Sequence, residues 1–169
     1  NMNWKNLDVI VLTYNRASYL KIMLESLCVQ TATGFNIRIL NNASTDNTLQ
    51  VIQEIKDKYP TRNIEVITHK TNIGNPANFK YSQKIAANQY TAVFHDDDAI
   101  HPEYIDTAMT LLTRHPEAVL CNSNLDALYN VSNINWNLLD KRYDLYPQNK
   151  GFFLELLNRR CNFAASVYK

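Results

Sequence analysis

Glycine is scarce, with three in 169 residues. That excludes the Gly-rich loops that bring backbone N–H groups against phosphates in Walker-type and dinucleotide-binding proteins. Cysteine is equally scarce: Cys28, Cys121 and Cys161 are odd in number and far apart, which fits neither a disulfide framework nor a zinc site. They read as reduced, mostly buried thiols of a cytosolic protein. No apolar run approaches the roughly 20 residues that span a bilayer. The opening NMNWKNLDVI lacks the basic-then-apolar order of a signal peptide, and Asn1, ahead of Met2, reads as a vector remnant. Formal net charge is +1, so no global field draws the chain to nucleic acid or an anionic membrane. What remains is a globular balance, 46% hydrophobic and 20% charged, at a length suited to one domain over residues 1–169.

Within that domain, continuous apolar runs alternate with helical spacing. LDVIVLTYN reads as a strand buried on both faces, and FNIRIL, NIEVITH, YTAVFH and EAVLCNS read as further strands. Between them RASYLKIMLESLCVQ and TLQVIQEIKDKY carry apolar residues three and four apart, and PANFKYSQKIAANQ and PEYIDTAMTLLTRH open on Pro76 and Pro102. The alternation predicts an α/β fold with a mainly parallel open sheet flanked by helices. Residues 124–150 break it and read as a polar, aromatic, irregular segment. A helix GFFLELLNRR and a strand-like NFAASVYK close the chain.

Polar residues gather where these strands end. Strand one ends in Thr13, Tyr14, Asn15 and Arg16, strand two in Asn41 and Asn42 followed by Ser44, Thr45 and Asp46. Strand three runs into HKTNIGNPAN and strand four into Asp96, Asp97 and Asp98. Parallel strands put these ends on one edge, where open α/β sheets bind ligands. Ser44, Thr45 and Asp46 also suit a helix cap, and Gly74 suits a turn. The aspartates point to a hard divalent cation, Mg²⁺ or Mn²⁺, which takes oxygen ligands and substrate phosphates. In an extended segment Asp96 and Asp98 would point alike, while Asp97 turns elsewhere. By the same alternation His95 faces away from them. His69, His101 and His115 show no ligand spacing and read as surface or loop residues.

The ordered set resembles the family 2 glycosyltransferases, which have the GT-A fold. VIVLTYNR resembles their opening strand, LNNASTDNT their second-strand signature, TNIGNPANF an N-x-G-x-x-x-N segment, and HDDDAIHPEYI the metal-binding D-x-D region. The likeness covers residues 7–122, a donor-binding core. It implies that Thr13, Tyr14, Asn15 and Arg16 line a base and ribose pocket, with Asn41 where an aspartate commonly pairs with the base. Asn72, Gly74 and Asn78 would shape the pocket floor, and Asp46 would fix its loop. Asp96, Asp97 and Asp98 would serve ribose, metal and diphosphate, with Asp98 the direct metal ligand and Asp96 beside it. The implied reaction moves a sugar, of hexosyl type, from a nucleoside-diphosphate sugar to an acceptor hydroxyl on a glycan or lipid-linked molecule, with inversion. The implied setting is polysaccharide biosynthesis in the cytoplasm, peripheral to the inner face of the membrane.

Two residues depart from the pattern: Leu12 stands for a proline and Asn41 for the aspartate, which leaves the base open among uracil, guanine, cytosine and thymine. The family's usual catalytic base lies in an E-D-like motif that would follow residue 169, and mid-helix Glu155 is a poor substitute. The chain therefore reads as the N-terminal part of a longer transferase, expected to bind donor weakly and turn over little. Residues 123–169 read as an irregular segment partly on the acceptor side. There Tyr129, Trp136, Tyr143 and Tyr146 pack a long loop or offer flat faces to a sugar ring. Alternatives are a non-catalytic nucleotide-sugar-binding domain and a sugar nucleotidyltransferase, the latter wanting a Gly-rich basic loop that TYNRASYL does not supply.

Overall fold

A computed structural model describes residues 2–123, 143–147 and 166–169. The first strand, β1 (Leu7–Thr13), is buried along its whole length, as its unbroken apolar run requires. It leads into α1 (Ala17–Cys28), whose Leu20, Met23, Leu24 and Leu27 form the buried stripe. The alternation continues through β2 (Asn36–Asn41), α2 (Thr48–Lys58), β3 (Asn63–Thr68), α3 (Asn75–Ile85), β4 (Tyr90–His95), α4 (Tyr104–Arg114) and β5 (Ala118–Ser123). Two further strands, β6 (Tyr143–Pro147) and β7 (Ser166–Tyr168), complete one sheet in the order β3-β2-β1-β4-β7-β5-β6.

Strands β1 to β4 pair in parallel. β7 lies antiparallel between β4 and β5, so β5 runs with β4, and β6 covers the outer edge of β5 antiparallel. The sheet is thus mixed, with its parallel half around β1. The strand at Tyr143–Pro147 corrects the reading of 124–150 as wholly irregular. Its Tyr-Asp-Leu-Tyr alternation is short and ends on proline, which an edge strand tolerates. The Tyr143 ring lies 6.1 Å from that of Tyr104 on α4, so this tyrosine packs on the domain. Tyr129, Trp136, Glu155, Cys161 and the helix expected at 151–160 lie outside the described residues.

Alternate residues of β1 face opposite ways. Val9 and Val11 join the main core with α1, α2 and α4, while Ile10 and Leu12 join a smaller core beneath Phe79, Tyr81 and Ile85 of α3. The chain steps from β1 to β2 and β3 on one side, then crosses over α3 to β4 on the other. β1 is therefore the point where strand order reverses, and the crevice beyond its carboxyl end is where such sheets bind ligands.

Candidate functional site

The reversal point is closed by one carboxylate. Asp96, in the turn after β4, is 4% exposed. Its Oδ2 accepts the Thr13 hydroxyl at 2.8 Å and the Tyr14 N–H at 3.3 Å, and its Oδ1 lies 3.4 Å from Arg16 Nη1. The same Arg16 nitrogen donates to Asp97 Oδ2 at 2.8 Å, on the exposed side of the turn. The ends of β1 and β4 are thereby tied to each other. Burial raises the pKa of Asp96, against the bonds from Thr13 and Tyr14 and the Arg16 charge.

Asp98 does something else. Residues 96–97 form a turn, so the expectation that Asp96 and Asp98 point alike in an extended segment is not met. Asp98 N donates to His95 O at 3.3 Å, and its carboxylate folds back to accept the His95 N–H at 3.0 Å. Its other oxygen has no hydrogen bond among the described residues. Burial raises its pKa too, and the like charges of Asp97 and Asp96 add to the rise. Behind the turn, Ser26 Oγ accepts the Ile100 N–H, while Gln30 donates to His101 O and accepts the Ile105 N–H. These two buried polar residues of α1 and its exit, not singled out in the sequence, hold the acidic turn and cap α4.

A cleft of about 250 Å³ opens beside Asp96. One wall carries Leu12, Thr13, Tyr14, Arg16 and His95. The rest of the lining is uncharged amides and backbone: Asn42, Asn72, Gly74, Asn75 and Asn78. Tyr14, 42% exposed, stands at its mouth. Thr13, Tyr14, Arg16, Asn72, Gly74, Asn78 and Asp96 are therefore brought together as the sequence suggested. Asn15, Asn41, Asp97 and Asp98 are not part of this lining.

Asn41 is fully buried, donating to Thr68 Oγ1 and accepting the Ser44 N–H. Its neighbour Asn42 faces the cleft instead, joined to Asn72 Oδ1 at 2.8 Å and to the Ile73 N–H at 2.9 Å. Asn15 Oδ1 accepts the Thr45 N–H at 2.7 Å, and Asn15 N donates to Ser44 Oγ at 3.0 Å, which staples the loops after β1 and β2 together. His95 was set aside because strand neighbours face opposite ways, but that rule stops at the turn that begins with Asp96. The histidine lines the cleft beside it.

The acidic turn offers hard oxygen donors of the kind Mg²⁺ and Mn²⁺ take. Among the described residues no three His, Cys, Asp or Glu side chains converge on one point. A cation here would take one or two carboxylates and complete its shell with water or ligand oxygens, as Mg²⁺ commonly does. The half-buried Asp98, with one oxygen unbonded and two like charges near, fits that demand. No helix among the described residues is long and apolar enough to cross a membrane.

Comparison with known proteins agrees with this architecture. The chain is 30% identical over 125 residues to the uncharacterized glycosyltransferase YibD of Escherichia coli, covering 73% of this chain and 36% of YibD. It is 28% identical over 162 residues to the abequosyltransferase RfbV of Salmonella typhimurium, covering 92% of this chain and 48% of RfbV. It thus spans between about a third and a half of the length of these two relatives. Among solved structures, residues 1–349 of Staphylococcus aureus TarS in complex with UDP-GlcNAc superpose with a TM-score of 0.62 at 28% identity, covering 68% of this chain and 33% of that one. The mixed sheet and the four helices of the described residues match the GT-A glycosyltransferase structures. The family model described as Glycosyl transferase family 2 matches residues 8–167, and the chain belongs to that family.

Proposed function

We propose that this chain is the donor-binding part of a metal-assisted glycosyltransferase that moves a sugar from a nucleoside-diphosphate sugar to an acceptor hydroxyl. The observation that carries this reading is the cleft at the sheet's reversal point, whose lining joins uncharged amides to the charged Arg16 and Asp96. A nucleotide sugar has that same division: a neutral heterocycle at one end and a diphosphate at the other. The base lies against Asn72, Gly74 and Asn78. Thr13 and Arg16 hold Asp96 in place to meet the ribose, and Asp97 and Asp98 flank the diphosphate. TarS, with UDP-GlcNAc bound, supports a donor of this class.

Asp98, with Asp96 beside it, would hold a divalent cation, which would supply Lewis-acid charge to offset the negative charge on the departing diphosphate. Of the described residues lining the cleft, Asp96 is the one carboxylate, and Thr13, Tyr14 and Arg16 already engage it. A carboxylate free to take the acceptor's proton is therefore not among them. Glycan or lipid-linked acceptors, transfer with inversion and a role at the cytoplasmic face of a membrane complete the reading.

A thermal-shift titration with UDP, GDP, CDP and dTDP, with and without Mn²⁺, tests it. Ligand at 100 times its dissociation constant stabilises by about 2.7 kcal/mol, well within reach of melting curves. A Mn²⁺-dependent shift that Asp98→Ala abolishes is the expected result. No shift with any nucleotide in the wild-type chain would sink the reading.

A further inference from the structure

We infer that Asn78 selects the donor's base: its amide N–H, turned into the cleft by His69, takes the carbonyl at C4 of a pyrimidine or C6 of a purine in preference to the amine that cytosine and adenine carry there. This rests on the donor-cleft reading above. Asn78 is 3% exposed, yet it lines the cleft. Its Oδ1 lies 3.0 Å from His69 Nε2, and its amide nitrogen has no hydrogen bond among the described residues. That nitrogen is not among the fully buried polar atoms that lack a partner, so it keeps some exposure, and it belongs to a residue that lines the cleft. A ligand atom that enters the cleft can accept its hydrogen.

The neighbouring amides are placed differently. Asn42 is engaged through both its nitrogen and its oxygen, with Asn72 and with the Ile73 N–H. Asn72 Oδ1 also accepts the Gly74 N–H at 2.8 Å. These bonds shape the wall; Asn72 and Asn75 are exposed, whereas Asn78 is a buried amide of the lining whose nitrogen has no bond among the described residues.

His69 decides which end of that amide faces the ligand. Its ring is fixed edge-on against Tyr81, at 4.8 Å and 82°, and its backbone N–H donates to Asn41 O at 3.0 Å. When Nε2 carries hydrogen it donates to Asn78 Oδ1, so the amide N–H must face the cleft. The C4 carbonyl of uracil or thymine, or the C6 carbonyl of guanine, accepts that hydrogen. The amine at the same position of cytosine or adenine meets it hydrogen to hydrogen.

The test is calorimetric titration of the chain, with Mn²⁺ present, using UDP, dTDP and GDP against CDP and ADP. The wild type should bind the carbonyl bases about tenfold more tightly, the scale of one hydrogen bond gained plus one clash avoided. Asn78→Asp leaves an acceptor alone in the cleft and should erase or reverse that preference. His69→Glu should do the same with Asn78 intact, because a carboxylate only accepts and so turns the amide N–H away from the cleft. His69→Gln keeps a donor and should keep the preference. Should Asn78→Asp fail to fold, the two His69 variants, at a partly exposed position, carry the test. Binding with no base preference in the wild type, or with a preference unmoved by His69→Glu, would overturn the assignment while leaving the donor cleft standing. If no nucleotide binds, the donor reading fails and this inference with it.

Discussion

Two residues beside the cleft hold backbone conformations that side chains avoid. Asn15 has φ 52° and Ala43 φ 62°, at the ends of β1 and β2. Asparagine tolerates this region, and here its side chain is rewarded by bonds from the loop after β2. Ala43 gains nothing comparable: a methyl group bonds to no one, yet the position must turn so that Asn42 faces the cleft and Ser44 N–H reaches Asn41. Left-handed backbone costs a non-glycine residue about 1–2 kcal/mol, and glycine's extra flexibility when unfolded returns about 0.5–1 kcal/mol of that. Ala43→Gly should therefore stabilise the chain by about 0.5–1 kcal/mol with nucleotide affinity unchanged. Urea denaturation measures it, and a lower midpoint in the variant would refute the claim that this site is strained.

Helices α1 and α2 begin without side-chain caps from their own cap residues, Arg16 and Asn47. Asp46 serves both: Oδ2 accepts the Ala17 N–H at 3.0 Å, and Oδ1 accepts the Thr48 N–H at 3.1 Å and the Thr48 hydroxyl at 2.5 Å. Burial works to raise its pKa, but the Thr48 hydroxyl and the two N–H groups outweigh it, so the carboxylate sits below its ordinary range. A depressed pKa contributes stability that is present above the unfolded-state value and lost as pH falls through the folded one. Asp46→Ala should cost about 1–2 kcal/mol near neutral pH, on the scale of a lost helix cap, and the gap to wild type should close in acid. A gap that persists on acidification would show that packing, not charge, holds this joint. Half of this was legible beforehand. Long apolar runs and three-four spacing exposed five strands and four helices, because burial on both faces and on one stripe leave different periods. The edge strand at Tyr143–Pro147 was not legible, since its pairing with β5 depends on partners far away in sequence. For the site, parallel topology predicted which loops meet. It did not predict which of two adjacent asparagines turns inward, or that a turn at Asp96 would bring His95 to the cleft, because both depend on local loop geometry.

At the scale of the whole molecule, α3 is the weakly anchored element: the core beneath it has four buried residues, Ile10, Leu12, Leu40 and Val93. Polar ties compensate at both ends. At the cleft end are Asn42, Asn72 and the His69–Asn78 pair. At the far end is Asp8, a fully buried carboxylate at the start of β1. It accepts N–H groups of Ala87 and Asn88 at 2.8 and 3.1 Å and side-chain amides of Asn88 and Asn36 at 2.7 and 3.0 Å. Arg38 Nε lies 3.7 Å from it, and the Arg38 guanidinium also bonds Ile85 O at the end of α3. Burial alone would raise the pKa of Asp8, but these donors and the Arg38 charge hold it below the usual value. Its contribution is therefore full above the unfolded carboxylate pKa and declines as pH falls through the lowered folded one. Removing one partner from a buried charged network costs about 3–5 kcal/mol; here it leaves four donors without their acceptor, while Arg38 keeps Glu65 at 3.3 Å. Asp8→Ala should lower stability by that amount near neutral pH, by less in acid, and should speed amide hydrogen exchange in α3 before other helices. Because α3 carries Asn78, nucleotide affinity should fall as well, although Asp8 lies at the opposite edge of the sheet. A loss of stability shared evenly by all helices, with affinity intact, would mean that α3 is held by its apolar contacts and that the two edges of the sheet act independently.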